Sequence, residues 1–321
     1  MVLKDQKVAV VTGCSTGIGL ETCLLFARNR IRTYATVRDL IKADLIKKIA
    51  EKEELPLMVI RMNVNKDDSV VEAFEKIRDE SSSIDILVNN AGFGLFGALE
   101  DLLIEDIKKQ FETNLFGAIR TIQQVLPVMR NQRSGIIVNI SSMSGYIGFP
   151  ASSAYVSTKF ALEGLSESLA YEVEPYGIKV VLIEPGVIKT NFMENIMIPD
   201  NTQPISASLL ASSSPSASST MTSTISTTYS DKPKSQREIT KYANVVESFL
   251  SRYYPAMRNA PDPKEVARVV LESIDASVSS ASKGVNFFRY PVGEDAKLYA
   301  EAKKNMHDSE LHSFVAKRTL S

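Results

Sequence analysis

The sequence predicts an α/β fold, a doubly wound parallel sheet, and three observations carry that prediction. Short β-branched runs alternate with amphipathic stretches from the start of the chain, which is the pattern of strand–helix–strand units. A glycine-rich turn, Gly13–Gly19, follows the first apolar run and opens a helical pattern. Of the 321 residues 44% are hydrophobic, enough for a sizeable core and too many for a disordered chain. This length sits near the prior for two domains. No internal repeat and no linker between two apolar blocks is found, so residues 1–321 read as one domain with a long insertion at 196–258.

Taken in order, Lys7–Thr12 (KVAVVT) reads as a buried strand. Arg32–Val37, Leu57–Arg61, Asp85–Asn89, Gly135–Ser141 and Ile178–Glu184 continue the series. The stretches between them are long enough for helices, and right-handed crossovers wind those helices over both faces of the sheet. After Asn195 the alternation breaks. Ser206–Ser230 has 16 Ser or Thr in 25 positions and no charge, a low-complexity stretch that cannot pack a core by itself. Lys241–Tyr254 then places Tyr242, Val245, Val246, Phe249, Leu250 and Tyr253 on one helical face. Asp262 and Pro263 open a further helix as cap and first-turn residue, with Glu265 placed for a capping box. Val285–Phe288 reads as a last strand.

Composition excludes several functions. Lys plus Arg is 37 and Asp plus Glu is 38, a formal charge of −1 that leaves no footprint for nucleic acid. No run of 18 apolar residues is present, so no membrane span is expected. Met1–Gln6 is short and polar before the first strand, which leaves no room for a signal peptide and points to a cytoplasmic location. Cys14 and Cys23 are too few for a disulfide framework and lack metal-ligand spacing. Cys14 reads as a small packed residue, the alternative being a thiol activated by the helix end. His307 and His312 both lie near the C-terminal end and read as surface residues. A histidine triad or zinc site in the main body is therefore unavailable.

The glycine-rich turn runs Thr12-Gly13-Cys14-Ser15-Thr16-Gly17-Ile18-Gly19. Glycines at a strand-to-helix turn let the backbone approach a pyrophosphate, and the helix N-terminus offers unpaired N–H groups. A Rossmann-type dinucleotide site follows, with the spacing Gly-x₃-Gly-x-Gly in place of the commoner G-x-G-x-x-G. The second strand ends Thr36-Val37-Arg38-Asp39. Val37 stands where an NAD enzyme usually carries its ribose-binding carboxylate, and the Arg38 guanidinium suits a 2′-phosphate. NADP(H) is favoured. Asp39 is a rival acid for a ribose, so NAD(H) stays open.

Tyr155 and Lys159 are four apart in a helical pattern and share one face. Tyr299 and Lys303 have the same spacing but lie in a polar stretch and read as a solvated face. Ser142 precedes Tyr155 by thirteen residues, at the end of a predicted strand. TGCSTGIG, the NNAG of Asn89–Gly92, Asn114, Ser142, YVSTK at Tyr155–Lys159 and PGVIKT at Pro185–Thr190 together resemble the short-chain dehydrogenase/reductase family over roughly residues 5–195. YATVRDL, NNAGFGLFG and KFALEGLSESLA are similar to its 17β-hydroxysteroid dehydrogenase and retinol dehydrogenase branch.

The resemblance implies hydride transfer between NADP(H) and a carbonyl or alcohol, with Tyr155 as general acid and base. Bringing a tyrosine from about 10 to about 7 takes roughly 4 kcal/mol, which a neighbouring ammonium and an oxidised nicotinamide can supply. Lys159 would be that ammonium and would bond the nicotinamide ribose; Ser142 would hold the carbonyl oxygen, and Asn114 a water relaying protons to solvent. Pro185 and Gly186 would turn beneath the nicotinamide, with Ile188 and Thr190 at its carboxamide. Asn63 and Val64 stand where the family commonly has an Asp contacting adenine. Asn90, Ala91 and Gly92 would support the adenine ribose, or serve only as a strand-end turn.

Leu95, Phe96, Phe149, Phe192 and Met193 follow the motifs and read as apolar walls for a hydrophobic ketone, aldehyde or alcohol. The Ser/Thr-rich insertion falls where the family has its substrate loop, as a mobile lid or as a segment without a role. Family members pair through two long helices, here Glu105–Asn131 and Ser153–Glu174, which implies a homodimer or homotetramer. A 3-oxoacyl carrier-protein reductase and a non-catalytic NADP(H)-sensing protein are the competing readings.

Overall fold

The computed structural model describes residues 6–199, 240–279 and 286–320. Among them run β1 (Val8–Val11), α1 (Gly17–Arg28), β2 (Arg32–Val37), α2 (Asp44–Lys52), β3 (Leu57–Arg61), α3 (Asp67–Glu80), β4 (Ile86–Asn89), α4 (Ile104–Phe111) and α5 (Gly117–Gln132). There follow β5 (Gly135–Ile140), α6 (Ser153–Val173), β6 (Ile178–Pro185), α7 (Ala243–Asn259), α8 (Pro263–Ser279), β7 (Phe287–Val292), α9 (Glu294–Asn305) and α10 (Asp308–Thr319). The strands form one sheet in the order β3-β2-β1-β4-β5-β6-β7, parallel throughout. The order reverses between β1 and β4, and in a doubly wound sheet the crevice at that switch point takes the ligand.

Strand residues alternate between two cores. Ala9, Val11, Val138 and Ile183 pack with Leu20 and Leu24 of α1 and Val266, Val270 and Ile274 of α8. Val8, Val10, Ile137 and Val180 face the other way, onto Phe74 of α3, Val125 and Met129 of α5, and Leu169 of α6. Both faces are covered, which is why these strands read as continuous apolar runs. Among the described residues no helix is long and apolar enough to cross a membrane.

The six leading strands agree with the sequence reading to within a residue or two. The last does not. The run at 285–288 suggested a strand there, yet β7 occupies Phe287–Val292, paired with β6 from Val180↔Phe287 to Pro185↔Val292. Arg289 and Pro291 hide it from a pattern search, but β7 is an edge strand, where a residue without an N–H is tolerated. The predicted helix at Lys241–Tyr254 is α7, extended to Asn259. Its buried side includes Val246, Phe249 and Leu250, whereas Tyr242 and Val245 are exposed. Asp262 caps α8 by accepting from the Lys264 N–H at 2.9 Å. Tyr299 is corrected outright. Only 7% exposed, it packs edge-on against Phe149 and Phe314, while Lys303 is solvated as expected. His307 and His312 are exposed. The low-complexity stretch 206–230, and with it the lid question, lies outside the described residues.

Pairing of β6 with β7 also gathers charge. Arg289 Nε lies 3.2 Å from Glu163 Oε2 and 3.4 Å from Glu184 Oε1, and its Nη2 lies 3.2 Å from Glu167 Oε2. Glu184 is 3% exposed, and burial first, then the charge of Glu163, pushes its carboxyl up to about 8, against the pull of Arg289. An acid with a raised folded-state value stabilises the fold below its unfolded value of about 4.3 and loses that contribution as pH rises through the folded value. Glu184→Gln removes the ionisation. Its melting temperature should match that of the wild type near pH 4 and exceed it by several degrees at pH 9, read by thermal unfolding across that range; a gap independent of pH would refute the assignment.

Candidate active site

The turn after β1 comes against the end of β4 more closely than side chains would allow. A Cβ on Gly13 (φ +71°) would stand 2.9 Å from Ala91 Cα, and one on Gly19 would stand 2.5 Å from both Asn90 Nδ2 and the Gly13 carbonyl oxygen. Asn90 stitches the two turns together: its Nδ2 donates to the Thr12 and Gly13 carbonyls at 2.9 and 3.1 Å. The Thr12 hydroxyl accepts from the N–H groups of Asn90 and Ala91, both at 2.9 Å. Asn89 is structural too, donating to Asn139 at 2.9 Å inside the sheet. Thr16, the N-cap of α1, makes no side-chain capping bond, so first-turn N–H groups face outward without a side-chain acceptor. With no acidic residue in that first turn, the arrangement fits a pyrophosphate.

A cleft of about 950 Å³ runs from this turn across the strand ends to the C-terminal helices. Gly13, Ser15, Thr16, Gly17, Ile18, Asn90, Ala91 and Gly92 line one end. Arg38 and Lys42 stand exposed at its rim beside Asp39. Asp39 accepts from the Ile41 N–H at 3.0 Å and caps the short 3₁₀ turn Leu40–Ala43, so this carboxylate oxygen is spent on the backbone. Asn63 and Val64 line the cleft, although the Asn63 amide oxygen already accepts from the Asn65 N–H at 3.2 Å. Gly19 does not line the cleft; its absent side chain makes the turn possible.

Ser142, Tyr155 and Lys159 meet at the middle. Ser142 ends the β5 segment and accepts from the Ser144 N–H at 3.1 Å. Tyr155 stands on the first turn of α6, with the Ser142 hydroxyl near enough to influence its phenol. Burial pushes the Tyr155 phenol up to about 12, and Ser142 opposes this by favouring the ionised form. The Lys159 ammonium is 5.7 Å from the centre of the Tyr155 ring and donates to the Ile140 carbonyl at 2.8 Å. Burial pulls it down to about 8, and the charge of Glu163 works the other way. Asn114 sits behind, on a π-helical turn, Glu112–Phe116, between α4 and α5; such turns are enriched at functional sites. It donates to the Phe93 carbonyl at 3.0 Å and to Thr158 at 3.2 Å, and its oxygen accepts from the Phe93 N–H at 3.0 Å. A cavity of about 10 Å³ separates Asn114 from Lys159, at the lower limit for one water.

Pro185, Gly186, Ile188 and Thr190 line the cleft beyond these groups. Asp295, which nothing in the sequence marked, holds that turn: its Oδ2 accepts from the Val187 N–H at 2.8 Å, and a Cβ on Gly186 would collide with it. The Thr190 hydroxyl accepts from the Phe192 N–H at 3.2 Å. Of the predicted apolar walls, Phe96, Phe149 and Phe192 line the cleft. Leu95 does not; it packs in the core with Leu102 and Ala154. The Met193 side chain lies outside the described residues. Phe249 and Tyr253 of α7 and Tyr299 of α9 complete the wall. Phe96 stands edge-on to Tyr155, Phe249 and Tyr253 with ring centres 5.9, 5.6 and 5.2 Å apart. The periodicity of α7 already placed Tyr253 on a buried face, but only the fold sets it against Phe96 beside Tyr155. Cys14 is buried, donating its thiol to the Val11 carbonyl, and reads as a packed residue.

Comparison with known proteins agrees with this geometry. Residues 7–200 match the family described as short chain dehydrogenase. The uncharacterized oxidoreductase YusZ of Bacillus subtilis is 33% identical over 296 residues, 92% of this chain and 91% of its own. Retinol dehydrogenase 8 of Homo sapiens is 40% identical over 190 residues, 58% of this chain and 60% of its own. The solved structure of ElxO with NADP bound superposes with a TM-score of 0.56 at 34% identity, over 59% of this chain and 77% of that one. With its seven-stranded parallel sheet and matched motifs, the chain belongs to the short-chain dehydrogenase family and is an oxidoreductase.

Proposed function

We propose that this oxidoreductase interconverts a hydrophobic ketone or aldehyde and its alcohol with NADP(H), Tyr155 acting as general acid and base. The observation that carries the reading is the meeting of Ser142, Tyr155 and Lys159 in a cleft that also holds the glycine turn and an aromatic wall. When bound, the nicotinamide group supplies or accepts the hydride. Ser142 holds the substrate oxygen, and Tyr155 delivers a proton to it in reduction. A phenol near 12 is fully protonated at neutral pH, so it is ready as an acid. Oxidation needs the tyrosinate, which the Lys159 ammonium favours. Asn114 and the small cavity beside it connect Lys159 to a proton exit. Each amide hydrogen of Asn114 is already spent, which leaves only a lone pair of its oxygen to take part.

Arg38 and Lys42 at the rim favour a 2′-phosphate, and the capping bond of Asp39 weakens the NAD(H) alternative. The NADP held by ElxO is in keeping with this. The aromatic wall favours a substrate with an apolar body. For assembly, Ile104 on α4, Phe116 before α5 and Phe160 on α6 are large apolar side chains left 63%, 46% and 44% exposed. Burying such a face against a second copy supports a homodimer or homotetramer.

Three measurements test this reading. NADPH consumption across a panel of hydrophobic ketones and aldehydes should give turnover that Tyr155→Phe lowers by about 10²–10⁴-fold, with NADPH affinity nearly unchanged; an active Phe variant would remove Tyr155 from the mechanism. Arg38→Ala should weaken NADPH binding by about tenfold or more, the worth of a charged hydrogen bond, and leave NADH binding nearly as it was; equal losses would discard the 2′-phosphate role. Light scattering should give a multiple of the chain mass, reduced to one chain by Phe116→Lys; a monomeric wild type would refute the assembly.

A further inference from the structure

Glu163 is a buried carboxylate for which the reaction outlined above has no use. It lies one turn beyond Lys159 on α6, so Tyr155, Lys159 and Glu163 follow one another along a single helix face, about 6 Å apart along the axis. It is 7% exposed. Its Oε1 and the Ser141 Oγ are both buried without a hydrogen-bond partner among the described residues. Gly145 makes the room: a Cβ there would stand 2.8 Å from Glu163 Cγ and 2.7 Å from Ser141 Oγ. Burying a carboxylate costs more than an apolar side chain of that size would, even with Arg289 as its partner. Stability therefore gives no reason for an acid at this position.

The neighbouring charges do. Lys159 makes no ion pair among the described residues, and its ammonium meets the Ile140 carbonyl. The groups around it are Tyr155 on its own helix, Ser142 at the end of β5, and Asn114 across the small cavity. Around Glu163 stand Arg289 from β7, Glu184 from β6 and Glu167 further along α6. Tyr146 follows β5, with Asp295 of α9 beyond it. Burial raises Glu163, while the Ser141 hydroxyl first, then Arg289 and Lys159, draw it back towards ionisation. Glu184, the neighbouring acid on the same guanidinium, is raised to about 8 by burial and by the charge of Glu163.

We propose that Glu163 is a positioning residue for Lys159: its carboxylate, seated against Gly145 and anchored by Arg289, holds the lysine ammonium in its charged form beside Tyr155. This rests on the reading of Tyr155 and Lys159 as the proton-handling pair. The role differs from that of Asn114, which shares the small cavity with Lys159 and makes no contact with Glu163 among the described hydrogen bonds.

The test is an NMR titration of the full chain with isotope-labelled lysine, the Lys159 side-chain signal being identified by its loss in Lys159→Arg. In Glu163→Gln the Lys159 midpoint should fall by about one pH unit. Glu167→Gln, which alters an exposed acid on the same helix and the same arginine, should leave it in place. An unmoved midpoint in folded Glu163→Gln overturns the proposal. Should that variant not fold, the wild type provides the second reading. Its Lys159 signal should show a further inflection as Glu163 titrates, and a single-step titration overturns the proposal. No substrate or cofactor enters the measurement, so its outcome stands apart from whether the chain turns over NADPH. In the turnover assay the alkaline limb of the pH profile should move down with the Lys159 midpoint, which a purely structural Glu163 would not cause.

Discussion

The close approach of two turns at the switch point is the constraint from which the rest of the site follows. β1 and β4 are neighbours, and the chain leaves each of them at the same edge of the sheet. For both exits to fit, Gly13 and Gly19 must lack side chains and Asn90 must tie the two loops by its amide. That contact sets the N-terminus of α1 against the crevice. The crevice in turn lies level with the ends of β5 and β6, which carry Ser142 and the Pro185–Gly186 turn. One backbone contact thus places the phosphate end of the cleft and its chemical end in register.

What was legible in the sequence follows from the same physics. Strands buried on both faces write themselves as β-branched runs, and a turn that must be glycine leaves a spacing that little else produces. Tyr155 and Lys159 stood out because a helix face repeats every three to four residues. What escaped depends on contacts between segments distant in the chain. Tyr299 has the same Tyr-x₃-Lys spacing as Tyr155, and polar neighbours disguised it; only the packing of α9 against Phe149 and of α10 through Phe314 buries it. Leu95 stands beside Phe96 in sequence, yet the bend after β4 sends one to the core and the other to the cleft. Asp295 had no signal beyond an acid at a helix start, a feature of countless surface helices. β7 lacked an apolar alternation because an edge strand does not need one.

Three buried charged groups, Lys159, Glu163 and Glu184, lie behind the reacting groups; Asp106 and Lys179 are withdrawn from solvent too. Asp106 has a lysine one turn away to answer it, at 2.8 Å. Glu163 and Glu184 share one half-exposed guanidinium, that of Arg289, which arrives from the edge strand, while Lys159 donates to the Ile140 carbonyl. A core of hydrocarbon would be more stable at those positions. Retaining several ionisable groups within a few turns of a phenol that must both give and take a proton is what a site tuned for proton transfer requires.

The division of labour along the chain bears on how far the likeness to known enzymes reaches. The family match ends at residue 200, and the likeness to retinol dehydrogenase 8 covers 58% of the chain. Every group assigned here to proton transfer lies within that span. The outer part of the aromatic wall does not: Phe249 and Tyr253 come from α7 and Tyr299 from α9. Discrimination between hydrophobic substrates depends on how such walls fit, at about 1–3 kcal/mol per misfitted methylene. On the proposed reading the reaction type goes with the sheet, and substrate choice with the helices that complete the wall. A change confined to Phe249 should alter which carbonyl is accepted and leave the proton chemistry of Tyr155 intact, because this side chain is uncharged and meets Phe96, which only borders the Tyr155 ring edge-on.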